Sequence, residues 1–178
     1  MRSAYCLLPY SLRLRVHQNH LLKRIKSSGQ RMLLGSHQYW YNPIYYKCVD
    51  ADALRSRDAM ADSIVADLKP RRLIDVGCGT GALLEAIKSR GVETMGLEYS
   101  DAGIQMCRQR KLNVRQFNIL KDTIPKNCGV NDVAMSFEVA EHLPESGADR
   151  FVDLLCGLAE TIVVSAATPG QGGNEHLN

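Results

Sequence analysis

The chain has 178 residues, 45% of them hydrophobic, enough for one domain with a substantial core. Its net charge of +3 is unevenly placed: eight of the 22 basic residues and none of the 19 acidic ones precede Asp50, leaving 14 basic against 19 acidic behind it. That balance leaves no evident basic nucleic-acid footprint on the main body and makes a nucleic-acid partner unfavoured. The six cysteines include no C-x-x-C pair, which argues against a zinc site or a disulfide framework and for reduced thiols in a cytoplasmic protein. No apolar run approaches the roughly 20 residues of a membrane span.

Residues 1–49 read as a basic, aromatic-rich extension and residues 50–178 as the folded domain. In the extension Leu12, Val16, Leu21, Leu22 and Ile25 fall at spacings that could line one face of a basic helix, and an arginine-rich, acid-free start also resembles a mitochondrial transit peptide. Tyr39-Trp40-Tyr41 and Tyr45-Tyr46 cluster around Asn42-Pro43. Such rings can cover a pocket or pack the segment onto the domain flank, and packing is the favoured role. From Ala53 to Leu68 the spacing is helical, with Met60, Ile64 and Leu68 on one line and Ala61 and Val65 beside it. Lys69-Pro70 ends that helix.

Arg72-Leu73-Ile74 then opens an apolar strand that runs into Asp75-Val76-Gly77-Cys78-Gly79-Thr80-Gly81, and Ala82–Ser89 continues at helical spacing. Strand, glycine-rich turn and helix make the first half of a βαβ unit. Three close glycines let a ligand pass the backbone without Cβ clashes, and the helix start points N–H groups into the same space. Gly77-x-Gly79-x-x-Ala82 also fits the looser dinucleotide fingerprint. Asp75 favours a different ligand, because a carboxylate at the strand's carboxyl end attracts a cationic amine and repels a pyrophosphate.

Here the sequence resembles the class I S-adenosylmethionine-dependent methyltransferases, whose first motif reads like Asp75 to Gly81. The resemblance covers roughly residues 45–178 and implies S-adenosylmethionine as cofactor, with Asp75, Gly77, Cys78, Gly79 and Gly81 around it. The second strand is read at 94–99, and Glu98 closes it about twenty residues past the turn. An acidic residue at that place accepts hydrogen bonds from a ribose diol in nucleotide-binding α/β folds; the family's matching carboxylate does the same, with Tyr99 beside it. Ser100 or Asp101 caps the next helix. A third strand at 114–119 carries Phe117-Asn118, where the family usually has an aspartate on the adenine amino group; Asn118 still offers an amide oxygen as acceptor.

The fourth strand, 132–137, leads into Glu138-Val139-Ala140-Glu141-His142. Phe151, Leu154, Leu155 and Leu158 mark an amphipathic helix, and 161–167 reads as a β-branched, buried fifth strand. The fold class is thus α/β, a Rossmann-like doubly wound parallel sheet in the order 3-2-1-4-5. The family's sheet normally continues with a helix and two strands beyond the fifth. The expectation is therefore a chain incomplete at its C-terminus, with a fifth-strand edge open to self-association.

His142 is the best general base, with Glu141 next to it and Glu138 against the cofactor. The spacing Glu138-x-x-Glu141-His142 also looks like the E-x-x-E-H motif of small-RNA terminal 2′-O-methyltransferases, where those side chains bind Mg²⁺ and a later histidine, here His176, completes the site. It resembles ubiquinone-pathway O-methyltransferases as well. The favoured expectation is no metal, and an O- or N-methyltransferase for a small-molecule or glycan-type acceptor. A catalytically inactive cofactor-binding fragment and a Mg²⁺-dependent RNA enzyme are the alternatives, the latter weakened by the acidic body. A dinucleotide oxidoreductase comes third. The tail from Pro169 resembles a glycine-rich loop of a methyltransferase subgroup, with Gln171, His176 and Asn178 facing the acceptor.

Overall fold

Five short runs of apolar residues pair side by side in parallel: β1 (Arg72–Val76), β2 (Glu93–Glu98), β3 (Val114–Gln116), β4 (Asn131–Phe137) and β5 (Ala159–Ser165). This computed structural model describes residues 41, 43–125 and 128–167; the expectations for residues 1–40 and for the tail from Thr168 lie outside them. The sheet order is β3-β2-β1-β4-β5, as expected. The chain steps outward from β1 to β3 and then returns to β4 on the other side of β1. The carboxyl ends of β1 and β4 therefore border a crevice at the point where the strand order reverses.

Alternation along the strands sends side chains to two cores. Leu73, Val133 and Met135 face one side and pack with Ala61, Ile64, Leu84, Ile87, Cys107 and Leu112. These come largely from the helices α1 (Pro43–Leu68), α2 (Ala82–Lys88) and α3 (Asp101–Gln109). Ile74, Val76 and Ala134 face the other side and meet Phe151, Leu154, Leu155 and Leu158 of α4 (Ala148–Leu158). Leu73, Leu84 and Ile87 are wholly buried, each contributing about 1.5–3 kcal/mol of apolar transfer. No helix among the described residues is long and apolar enough to cross a membrane.

Three elements differ from the sequence expectation by two residues or more. First, α1 starts at Pro43, ten residues before Ala53, and runs through the expected domain boundary at 49–50 as one helix of 26 residues. Tyr46, Asp50, Arg57, Ala61 and Ile64 recur at helical spacing, and only the last two are aliphatic. The first half of this face is aromatic and ionic, so apolar periodicity did not mark it. Second, β3 stops at Gln116, because the chain turns at Asn118, whose backbone and amide oxygens accept from Leu120, Lys121 and Asp122 N–H. Third, β5 spans 159–165 and is largely exposed where a buried strand was expected, with Ile162 and Val164 at 36% and 47%. Among the described strands β5 pairs with β4 alone, so it has a sheet neighbour on one edge only.

Candidate functional site

The turn after β1 holds Gly77, Gly79 and Gly81 at φ of +80°, +55° and +74°, a left-handed backbone that favours glycine. Its amides point inward. Gly77 and Cys78 N–H both donate to Leu97 O, Gly81 N–H donates to Cys78 O, and Gly79 N–H donates to Glu98 Oε2 at 2.8 Å. Four of the five amides from Gly77 to Gly81 are thus committed within the protein. A phosphate cradle needs such amides free, so this turn suits a ligand that passes it without a phosphate.

Glu98 is the hub of the site. It is 6% exposed, and besides Gly79 it accepts from Ser100 N–H at 2.7 Å and from the Tyr46 hydroxyl at 3.1 Å, both on Oε1. Burial raises its pKa, opposed by the donors Ser100, Gly79 and Tyr46. Asp75 is also 6% exposed; burial and then the nearby Glu98 charge push its carboxyl up to about 8. Burial and the Glu98 charge likewise drive the Tyr46 phenol well above its ordinary value, so Tyr46 remains a donor.

Cys78, expected near the cofactor, turns its thiol into the protein. Its Sγ lies 3.8 Å from that of Cys107, and Cys107 Sγ is 3.4 Å from Gly79 O. The Cys107 contact and burial raise the Cys78 pKa well above the usual thiol value, leaving an inert packing group. Tyr99 is 37% exposed just beyond β2. Asn118 spends its amide oxygen on Leu120 N–H at 2.9 Å. This local turn occupies the acceptor that the sequence reading reserved for adenine.

Past β4 the backbone is strained. Glu138 has φ +55°, and its exposed carboxylate accepts from Ser165 Oγ at 2.9 Å. Glu141 is 4% exposed; its Oε1 accepts from Ala167 N–H at 3.3 Å, while Oε2 has no hydrogen-bond partner among the described residues. His142, half-buried, sits edge-on to Tyr41 with ring centroids 6.0 Å apart. Among the described residues no three His, Cys, Asp or Glu side chains converge as metal ligands do, and His176 lies outside those residues.

The sequence reading missed how far α1 enters the site. The Tyr41 ring lies 6.2 Å from that of Tyr46, and the Tyr45 ring 5.3 Å from it, so one aromatic cluster runs from Glu98 to His142. Tyr41 O accepts from Ser100 Oγ at 2.9 Å. Arg110 donates to Thr80 O at 3.1 Å in the glycine turn and also bonds Asp50 of α1. Arg57 of α1 bonds Glu85 of α2 at 2.6 Å. The clustered tyrosines and Asn42-Pro43 were the available signal, but their partners lie about fifty residues away in the chain.

A family model described as methionine biosynthesis protein MetW matches residues 60–140. The ubiquinone biosynthesis O-methyltransferase of Methylococcus capsulatus is 32% identical over 128 residues, 66% of this chain and 52% of that protein. The enzyme of the same description from Acinetobacter baylyi is 28% identical over 90 residues, 47% of this chain and 38% of its own. The chain thus spans about half or less of these relatives' length. Among solved structures, the magnesium protoporphyrin IX methyltransferase ChlM of Synechocystis PCC 6803, solved with S-adenosylmethionine bound, superposes with a TM-score of 0.58 at 17% identity, covering 79% of this chain and 74% of that one. Streptomyces venezuelae DesVI gives a TM-score of 0.57 at 21% identity, covering 68% and 54%. With the β3-β2-β1-β4-β5 order and the glycine turn beneath Glu98, these likenesses show that the chain has the class I S-adenosylmethionine-dependent methyltransferase fold.

Proposed function

We propose that this chain binds S-adenosylmethionine and transfers its methyl group to an oxygen or nitrogen of a small-molecule or glycan-type acceptor, with oxygen favoured because the curated relatives are described as O-methyltransferases. The observation that carries this reading is the convergence of two buried acidic side chains, Asp75 and Glu98, on a glycine turn four of whose five amides are already committed. A dinucleotide pyrophosphate would meet two acidic side chains there and few free amides. A cofactor with an α-amino group and a ribose diol, and without phosphate, suits both carboxylates. When bound, S-adenosylmethionine supplies a methyl group made electrophilic by its sulfonium.

The chain's own residues then have separable tasks. Glu98 holds ribose hydroxyls, Asp75 faces the amino group, and the backbone of Gly77 to Gly81 lets both come close. His142 takes the proton from the acceptor hydroxyl or amine as general base, and the Tyr41 ring orients it. Glu141, whose buried Oε2 is without a partner among the described residues, is available to hold an acceptor N–H or O–H. Placing donor and acceptor in line can supply about 7–11 kcal/mol of the barrier reduction.

Calorimetric titration with S-adenosylhomocysteine tests the reading. Micromolar binding is expected; binding by neither the folded chain nor its Tyr46→Phe variant overturns it.

A further inference from the structure

The carboxylate assigned to the cofactor's ribose is itself covered in this structure. Glu98 is 6% exposed and Tyr46, which bonds it, is 4% exposed. A carboxylate grips a diol best when each oxygen takes one hydroxyl. Here Oε1 already accepts two hydrogen bonds, from Ser100 N–H and the Tyr46 hydroxyl, and Oε2 accepts one from Gly79 N–H. The Tyr46 ring also rests on the turn: its Cε1 lies 3.6 Å from where a Cβ on Gly79 would stand, the nearest atom to that position. Phenol and ring therefore occupy the approach to Glu98 and to the middle glycine together.

We propose that Tyr46 is an internal occupant of the ribose subsite, whose hydroxyl makes in the free protein the hydrogen bond to Glu98 that a ribose hydroxyl makes in the loaded site. This rests on the reading of the crevice as an S-adenosylmethionine site. The exchange is one donor for another on Oε1, so it leaves no buried carboxylate oxygen stripped of its bond. It is also local. Tyr46 lies in the first turn of α1, whereas Asp50, Arg57, Asp58 and Asp62 fasten the following turns to Arg110, Glu85 and Arg90. First-turn residues of a helix open at low cost, so Tyr46 can leave while the rest of α1 stays docked. Its ring also touches the cluster that reaches His142 through Tyr41, so its departure disturbs the acceptor end when the cofactor arrives. Tyr46 in this way sets the affinity of the subsite, because each binding event must break the internal bond first.

The test compares the whole chain with its Tyr46→Phe variant, which keeps the ring and removes the donor. Both are titrated with S-adenosylhomocysteine and melted without ligand. The expected result is that Tyr46→Phe binds roughly tenfold tighter, the effect of removing one competing hydrogen bond to a carboxylate, and unfolds at a lower temperature when free. A residue with only a structural role would lower the melting temperature without tightening binding. Binding by the variant alone, with none by the native chain, also supports the proposal. Equal or weaker binding by the variant, with the native chain binding, overturns the role of Tyr46 and leaves the cofactor assignment standing. No binding by either folded protein overturns the cofactor assignment and this proposal with it.

Discussion

The two ends of the crevice are built on opposite plans. At the β1–β2 end, Asp75 and Glu98 are buried, and Glu98 accepts from Gly79, Ser100 and Tyr46. At the β4–β5 end, Glu138 is exposed on a strained backbone, Glu141 keeps one carboxylate oxygen without a partner among the described residues, and His142 sits half-buried beside an aromatic ring. The difference fits a division of labour. A cofactor rewards a carboxylate fixed in advance by the Gly79 and Ser100 amides, since that ordering lowers the cost of binding; the Tyr46 bond is the one contact there that the proposal sets against it. An acceptor and a travelling proton need groups whose hydrogen bonds are not all committed.

The proposed division can be broken most sharply at His142. Replacing it by alanine should lower kcat by about 10²–10⁴-fold, the usual worth of a general base, while S-adenosylhomocysteine affinity stays within about twofold. An affinity loss as large as the rate loss, measured by calorimetry beside a turnover assay, would place His142 at the cofactor end instead. Glu98→Ala is the converse experiment. It removes hydrogen bonds to a charged group and strands the Gly79 and Ser100 amides, so cofactor affinity should fall by about a hundredfold. Unchanged affinity would remove the basis of the assignment.

Asp75 gives a subtler effect with a definite sign. Its folded pKa of about 8 lies above the unfolded value of about 4. The native state therefore holds a proton that the unfolded chain has lost, and stability falls as pH rises from about 4 to about 8, levelling above that. Glu98 is shifted in the same direction and adds to the slope. Urea unfolding at pH 5, 6, 7 and 8 should show a shallower decline for Asp75→Asn than for the native chain; parallel lines would mean that Asp75 is ionised in the folded protein. The smallest effect is expected for Glu138→Gly. Relief of the left-handed strain, about 1 kcal/mol, offsets loss of the bond from Ser165, also about 1 kcal/mol. Stability should move by less than about 1 kcal/mol, and a larger loss in chemical denaturation would show that the Glu138 side chain holds β4 to β5.

Some of this site was legible before any tertiary contact was known. The run Asp75 to Gly81 declares a strand, a turn with φ > 0 and a helix through local chemistry alone, and Glu98 follows at a distance set by one helix and one strand. Strand existence was equally local, although the β3 and β5 limits moved by two or three residues because the turn at Asn118 and pairing with β4 decided them. Asn118 shows the opposite case: its residue type suggested an adenine contact, but a turn formed with Leu120, two residues on, engages its oxygen. Residue type states what a group can bond to, and only neighbours state what it does bond to.

The sequence by itself determined the α/β class and the positions of Asp75, Glu98 and the glycine turn, because each follows from periodicity, backbone freedom or spacing along a short stretch of chain. The sheet order was expected from the rules for connecting parallel strands and is set by pairing between distant strands. The tertiary structure alone decided that α1 begins at Pro43 and that Tyr46 seals Glu98, because that helix is held by a tyrosine hydroxyl and by Asp50 and Arg57 reaching partners on other elements. An aromatic and ionic face has no hydrophobic period to read, and its meaning appears only when the chain brings residues 46 and 98 together.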